Sequence, residues 1–167
     1  MRSRSPQRAT RLADSKVPLS EHRLARRVQF QETDAAGIVH FTAYFRYMEE
    51  AEHALWRAAG LSIAPPGSPI GWPRVSASFD YHRALRFEDE FEIRIRITAI
   101  EERTMSYVCE LTRGAKTVAT GALTIACVSK GPGESMRAIP IPSEIAARFR
   151  VASASEKAPH PVLEERS

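Results

Sequence analysis

The chain has 167 residues, of which 43% are hydrophobic and 26% charged, the composition of one globular domain and not of a chain that is disordered throughout or buried in lipid. No apolar run approaches the roughly 20 residues of a spanning helix, and no apolar core follows the basic N-terminus, so neither a membrane segment nor a secretory signal is expected. The net charge of +4 is uneven: eight basic residues against Asp14 and Glu21 give residues 1–27 a charge of +6 and leave −2 for the rest, and this basic stretch has no aromatic rings to stack bases, which argues against nucleic-acid binding.

Residues 1–21 read as a disordered basic leader, residues 22–150 as one folded domain, and residues 151–167 as a second polar tail. Within the domain, Leu24 to Glu32 alternates as a strand, with Val28 and Phe30 on its apolar face. Thr33 to Gly37 breaks the pattern. Thr42 is placed as an N-cap, and Tyr44, Tyr47, Met48, Ala51, Leu55 and Ala58 recur at helical spacing. Arg46, Glu49, Glu50, Glu52 and Arg57 mostly fill the opposite face, and Gly60 ends the helix. Residues 61–73 carry four prolines and two glycines and form a loop.

Four strands are predicted next: Arg74 to His82, Asp89 to Ile100, Met105 to Arg113 and Thr117 to Ser129. In the second, Phe91, Ile93, Ile95 and Ile97 alternate with Glu92, Arg94, Arg96 and Thr98, as in an antiparallel sheet buried on one face. The Gly-containing link Thr112 to Lys116 predicts a hairpin. A short strand near Met136 to Ile139 and a helical turn near Ser143 to Phe149 complete the order. One long helix among a run of strands predicts an α+β fold, with about five antiparallel strands against that helix and a self-association surface at the leftover sheet edge. Cys109 and Cys127 lie in strand-like stretches without metal spacing and read as buried, reduced thiols, which suits the cytoplasm.

The segment from Phe30 to Met48, FQETDAAGIVHFTAYFRYM, is the richest in chemistry. Asp34 stands between a strand and a helix, followed by small residues and Gly37, which let a ligand approach the main chain. The helix N-terminus beyond it offers unpaired N–H groups that can bind a carbonyl oxygen as it gains charge. A carboxylate there can act as base or nucleophile, and a strand-to-helix Asp can equally be only a turn residue. His40 stands one turn before the helix and is a candidate partner. Glu50 is a second acidic candidate. His53 and His82 are isolated. No G-x-S-x-G elbow, P-loop, H-E-x-x-H or paired-cysteine site is present, so no metal or cofactor is expected.

The run V-x-F-x-E-T-D-A-A-G-I-V-H-F-T-A-Y, from Val28 to Tyr44, resembles the signature of the 4-hydroxybenzoyl-CoA thioesterase family of hotdog proteins. Pro73 to Phe79 resembles that family's second strand, and Glu134 to Pro142 its closing segment. The resemblance implies a hotdog fold, a sheet wrapped round one central helix, and hydrolysis of an acyl-CoA thioester with no cofactor beyond the CoA of the substrate. It implies that Asp34 is the catalytic carboxylate, Gly37 the loop glycine, and the backbone N–H near Phe41 the donor that polarises the carbonyl. It further implies substrate contacts at Tyr44, Val75 and Ser76, CoA phosphates near Arg103, and a homodimer or homotetramer with sites between subunits. Some relatives carry a histidine seven residues after the aspartate, where this chain has Phe41, so a role for His40 rests on its position alone. Two other readings fit the same fold: an acyl-thioester hydratase or dehydratase, and a non-catalytic acyl-CoA-binding subunit.

Overall fold

The computed structural model describes residues 17–131, 133 and 135–153. Its elements run β1 (Glu21–Arg27), α1 (Ala43–Ala58), β2 (Ile70–Gly71), β3 (Arg74–Tyr81), β4 (Glu90–Ile100), β5 (Thr104–Arg113), β6 (Lys116–Ala126), β7 (Val128–Ser129), β8 (Arg137–Ala138) and α2 (Ser143–Ala146). Five strands form an antiparallel sheet in the order β1-β4-β5-β6-β3, and β2, β7 and β8 form a small second sheet.

The expected alternation places the core. Ile93, Ile95 and Ile97 of β4 are fully buried, as are Tyr107 and Leu111 of β5 and Ile125 of β6. They pack with Tyr47, Met48, Ala51, Leu55 and Trp56 of α1 in one hydrophobic cluster. Each large side chain removed from water in this way contributes about 1.5–3 kcal/mol. One long helix against a five-stranded antiparallel sheet is the hotdog arrangement the sequence pointed to. The predicted hairpin is present between β5 and β6, with Gly114 at a positive φ of 57°.

Several expectations change. The first strand starts earlier and ends at Arg27, and Phe30–Glu32 forms a 3-10 turn. Glu32 causes it: its carboxylate accepts the Gln29 N–H at 2.8 Å, which winds the backbone out of the sheet. Val28 is therefore buried while Phe30 is 73% exposed, although alternation put them on one face. Thr42 stands at the helix start, but its side chain makes no capping bond. Glu52, expected on the polar face of α1, is fully buried and pairs with Arg74 of β3. Arg94 and Arg96, on the outer face of β4, are also nearly buried. The loop at 61–73 carries β2, which pairs with β7.

The packed unit also reaches slightly past residues 22–150. Leu19 N–H donates to Arg148 O at 3.0 Å, Ser20 O accepts Ile97 N–H at 2.8 Å, and Ala152 is buried with its N–H on Ile97 O at 2.9 Å. The rest of the predicted leader, residues 1–16, and of the tail, residues 154–167, lies outside the described residues. Among the described residues no helix is long and apolar enough to cross a membrane, and no group of three or more His, Cys, Asp or Glu is arranged to hold a metal ion. Both cysteines are free and buried, and burial pushes the Cys109 thiol up to about 12.

Candidate active site

The Asp34 loop is a tight excursion between β1 and α1. Thr33 bridges Val39, Asp34 N–H donates to Ile38 O at 2.9 Å, and Gly37 N–H donates to Asp34 O at 2.9 Å. Gly37 has a φ of 74°, a conformation that costs a residue with a Cβ. The Asp34 side chain closes the turn by accepting Ala36 N–H on Oδ1 at 2.8 Å. Among the described residues Oδ2 accepts no hydrogen bond.

Glu32 anchors the loop from behind. Its Oε1 accepts from Arg26 at 2.7 Å, and its Oε2 accepts from Gln29 N–H and the Tyr47 hydroxyl, each at 2.8 Å. Its backbone O accepts His40 N–H at 2.8 Å. Burial alone would raise the Glu32 carboxyl, but the Gln29, Arg26 and Tyr47 donors outweigh it and hold it below the usual range. The Arg26 guanidinium lies over the Tyr47 ring, 4.6 Å from its centre, and its Nε meets Glu50 at 2.7 Å. Glu50 thus serves this anchor and does not line the cleft.

The other wall comes from the end of β3. Val39 N–H donates to Leu85 O at 2.8 Å, which holds the loop against residues 81–85. Between them lies a cleft of about 320 Å³ lined by Asp34, Val39, Phe41, Tyr44, Tyr81, His82 and Arg83, among others. The Tyr81 hydroxyl donates to Phe41 O at 3.0 Å, and its ring meets Tyr44 edge-on at 5.0 Å. Phe41 N–H makes no hydrogen bond among the described residues, and α1 begins two residues later. Burial raises the Tyr44 phenol, more than the Leu85 N–H lowers it, and burial raises Tyr81. Both hydroxyls therefore remain protonated donors at neutral pH.

The cleft thus joins three residues singled out in the sequence, Asp34, Phe41 and Tyr44. Gly37 shapes the loop without lining the cleft. His40 is exposed; its ring lies beside Phe41, with centres 4.6 Å apart, and its Nδ1 meets Thr42 Oγ1 at 2.7 Å. Val75 and Ser76 are exposed on β3 and do not reach the Asp34 cleft of their own chain. Arg103 stands in the β4–β5 turn beside Glu102, at 3.6 Å, also away from the cleft. Tyr81, His82 and Arg83 complete the site; His82 was set aside in the sequence as isolated, and Tyr81 and Arg83 carried no sequence signal of their own. They are about 47 positions beyond Asp34, and only the pairing of β3 with β6 shows where they land.

A family model described as the thioesterase-like superfamily matches residues 28–149. A protein of Aquifex aeolicus described as a candidate esterase is 37% identical over 84 residues, 49% of this chain and 65% of that one. The chain thus spans just under two thirds of that protein's length. A 1,4-dihydroxy-2-naphthoyl-CoA hydrolase of Synechococcus elongatus is 27% identical over 131 residues, 76% of this chain and 93% of that one. The solved structure of a gentisyl-coenzyme A thioesterase superposes with a TM-score of 0.66 at 26% identity, over 75% of this chain and 99% of that one.

Proposed function

Because the chain belongs to the thioesterase-like superfamily, we propose that it is an acyl-CoA thioesterase in which Asp34 and the Phe41 N–H act on the same thioester carbonyl. The observation that carries the reading is that Asp34 and the start of α1 line one cleft. A carbonyl seated there meets an unpaired N–H and the positive end of a helix on one side. A carboxylate oxygen with no other partner among the described residues stands on the other side. Two routes give the same products. Asp34 attacks the carbonyl carbon, expels the CoA thiolate and yields an anhydride that water opens, or it takes a proton from a water that attacks directly. The thiolate leaves readily, since thiols ionise near pH 8.5, so no strong acid is required.

The relatives' names specify aromatic acyl groups, naphthoyl in one and gentisyl in the other. The rings of Phe41, Tyr44 and Tyr81 suit such a group. His40, through Thr42, steadies the turn into α1. Among the described residues, β3 pairs only with β6 and leaves its outer edge open. That edge supports a homodimer, or a tetramer of two, in which Val75 and Ser76 contact substrate across the interface. Free buried thiols and a CoA substrate suit the cytoplasm.

Hydrolysis of aromatic and aliphatic acyl-CoA thioesters, followed with a thiol reagent, tests the reading. Asp34→Asn is expected to lower kcat at least about 100-fold. Unchanged turnover removes Asp34 from the chemistry. A hydratase would add water across an enoyl group and release no thiol.

A further inference from the structure

In the turn that leads into α1, the N–H groups on either side of Phe41 are occupied. His40 N–H donates to Glu32 O at 2.8 Å, Thr42 N–H meets His40 Nδ1 at 3.3 Å, and Ala43 N–H donates to His40 O at 2.9 Å. The last of these polarises the peptide unit that also carries Phe41 N–H, which makes that N–H a stronger donor. On the next peptide, Phe41 O accepts no backbone N–H among the described residues; it accepts the Tyr81 hydroxyl at 3.0 Å. The Thr42 side chain makes no capping bond, so the phenol is what joins residue 41 to β3. Tyr81 is aimed in its turn. Its ring lies nearly parallel to that of Phe79, two positions back on β3, with centres 6.1 Å apart. Phe79 pairs with Gly121 of β6 and lays its ring over that glycine. A Cβ at Gly121 would stand 2.7, 2.8 and 3.0 Å from three atoms of the ring. A side chain there would press Phe79 against Tyr44, Phe45 and Tyr81, its ring neighbours.

Resting on the thioesterase reading of this cleft, we infer that Tyr81 is the positioning residue of the Phe41 donor, its hydroxyl holding residue 41 so that the N–H faces the thioester oxygen. A donor stabilises a carbonyl that is gaining charge only if it already points where the oxygen will be, because turning it during the reaction costs energy. Residue 41 precedes α1, so the helix's own bonds do not fix it. Its two flanking peptides are held separately, one through His40 O and Ala43 N–H, the other through Tyr81. Without the phenol, residue 41 is held from one side and its N–H can tilt. Gly121 belongs to the same device. Its missing Cβ gives Phe79 a seat, and Phe79 supports the face of Tyr81.

The test uses the full chain and benzoyl-CoA. Tyr81→Phe keeps the ring and removes the hydroxyl; it is expected to lower kcat about tenfold and leave KM unchanged. Gly121→Ala, which displaces Phe79, is expected to lower kcat similarly and to add little in the Tyr81→Phe background. The direct readout is the infrared carbonyl stretch of benzoyl-CoA, isotope-labelled at the carbonyl carbon and bound unhydrolysed to the Asp34→Asn protein. Binding is expected to lower that frequency, and adding Tyr81→Phe is expected to shrink the shift. An unchanged kcat, a rise in KM alone, or an undiminished carbonyl shift in the Tyr81→Phe proteins overturns the assignment. Losses that simply multiply in the double variant take Gly121 out of it. Hydrolysis that needs Asp34 but ignores Tyr81→Phe would discard the positioning role and keep the thioesterase. A thioester bound to the Asp34→Asn protein with its carbonyl at the free frequency would discard the Phe41 donor, and both readings with it.

Discussion

Glu32 and Asp34 are two residues apart on one loop, yet they occupy opposite kinds of environment. Glu32 accepts from a guanidinium, a backbone N–H and a phenol, while Asp34 accepts from one backbone N–H and faces a cleft. A carboxylate with every partner in place has nothing left to offer a substrate; it fixes geometry. One with an open oxygen beside a helix start can react. Glu52 is a third case. It is buried with Arg74, has one oxygen without a partner among the described residues, and lines no part of the Asp34 cleft. On the proposed function, the carboxylate that reacts is the one left open to a cavity, not the one most buried.

Substitutions at these three places should separate the roles. The largest stability effect is expected at the buried pair. Arg74→Met leaves Glu52 uncompensated and should cost about 3 kcal/mol or more at pH 8 by denaturant unfolding. Burial outweighs the pull of Arg74 and raises the Glu52 carboxyl from 4.5 to about 7. A raised acid contributes its stability fully below pH 4.5 and loses it as pH climbs towards about 7. The Arg74→Met loss should therefore shrink at pH 5, and Glu52→Gln should flatten that slope. A pH-independent loss would mean that Glu52 is not the group responsible.

Glu32→Gln should cost about 1–3 kcal/mol of stability and lower kcat with it, because it loosens the loop that carries Asp34. If kcat fell with no change in unfolding, Glu32 would belong to the chemistry and not only to the anchor of the loop. The smallest effect is expected at Gly37→Ala. A Cβ there meets only Arg86 Nη1, at 3.8 Å, so the penalty is the positive φ alone, about 1 kcal/mol.

Most of the fold was legible because its signals are local. The apolar alternation of β4, the helical stripe from Tyr44 to Ala58 and the Gly114 hairpin each report on their own segment. Half of the site was legible for the same reason, since Asp34, Phe41 and Tyr44 stand within eleven residues. The other half depends on strand pairing over long separations, which carries Tyr81, His82 and Arg83 to the same cleft. Glu52 was misplaced because helical spacing records which residues are polar, not which cation a neighbouring strand brings to meet them. Phe30 was misplaced because the strand ends three residues before it, at Arg27, where the Glu32 side chain winds the backbone into a turn.

On the proposed mechanism, Asp34 and the Phe41 N–H address one carbonyl. A crystal structure of the Asp34→Asn protein with an unhydrolysed aromatic acyl-CoA tests it most directly. The thioester oxygen is expected within hydrogen-bond distance of Phe41 N–H, with the residue 34 side chain against the carbonyl carbon. A thioester bound elsewhere, or with its oxygen turned away from the start of α1, would contradict it.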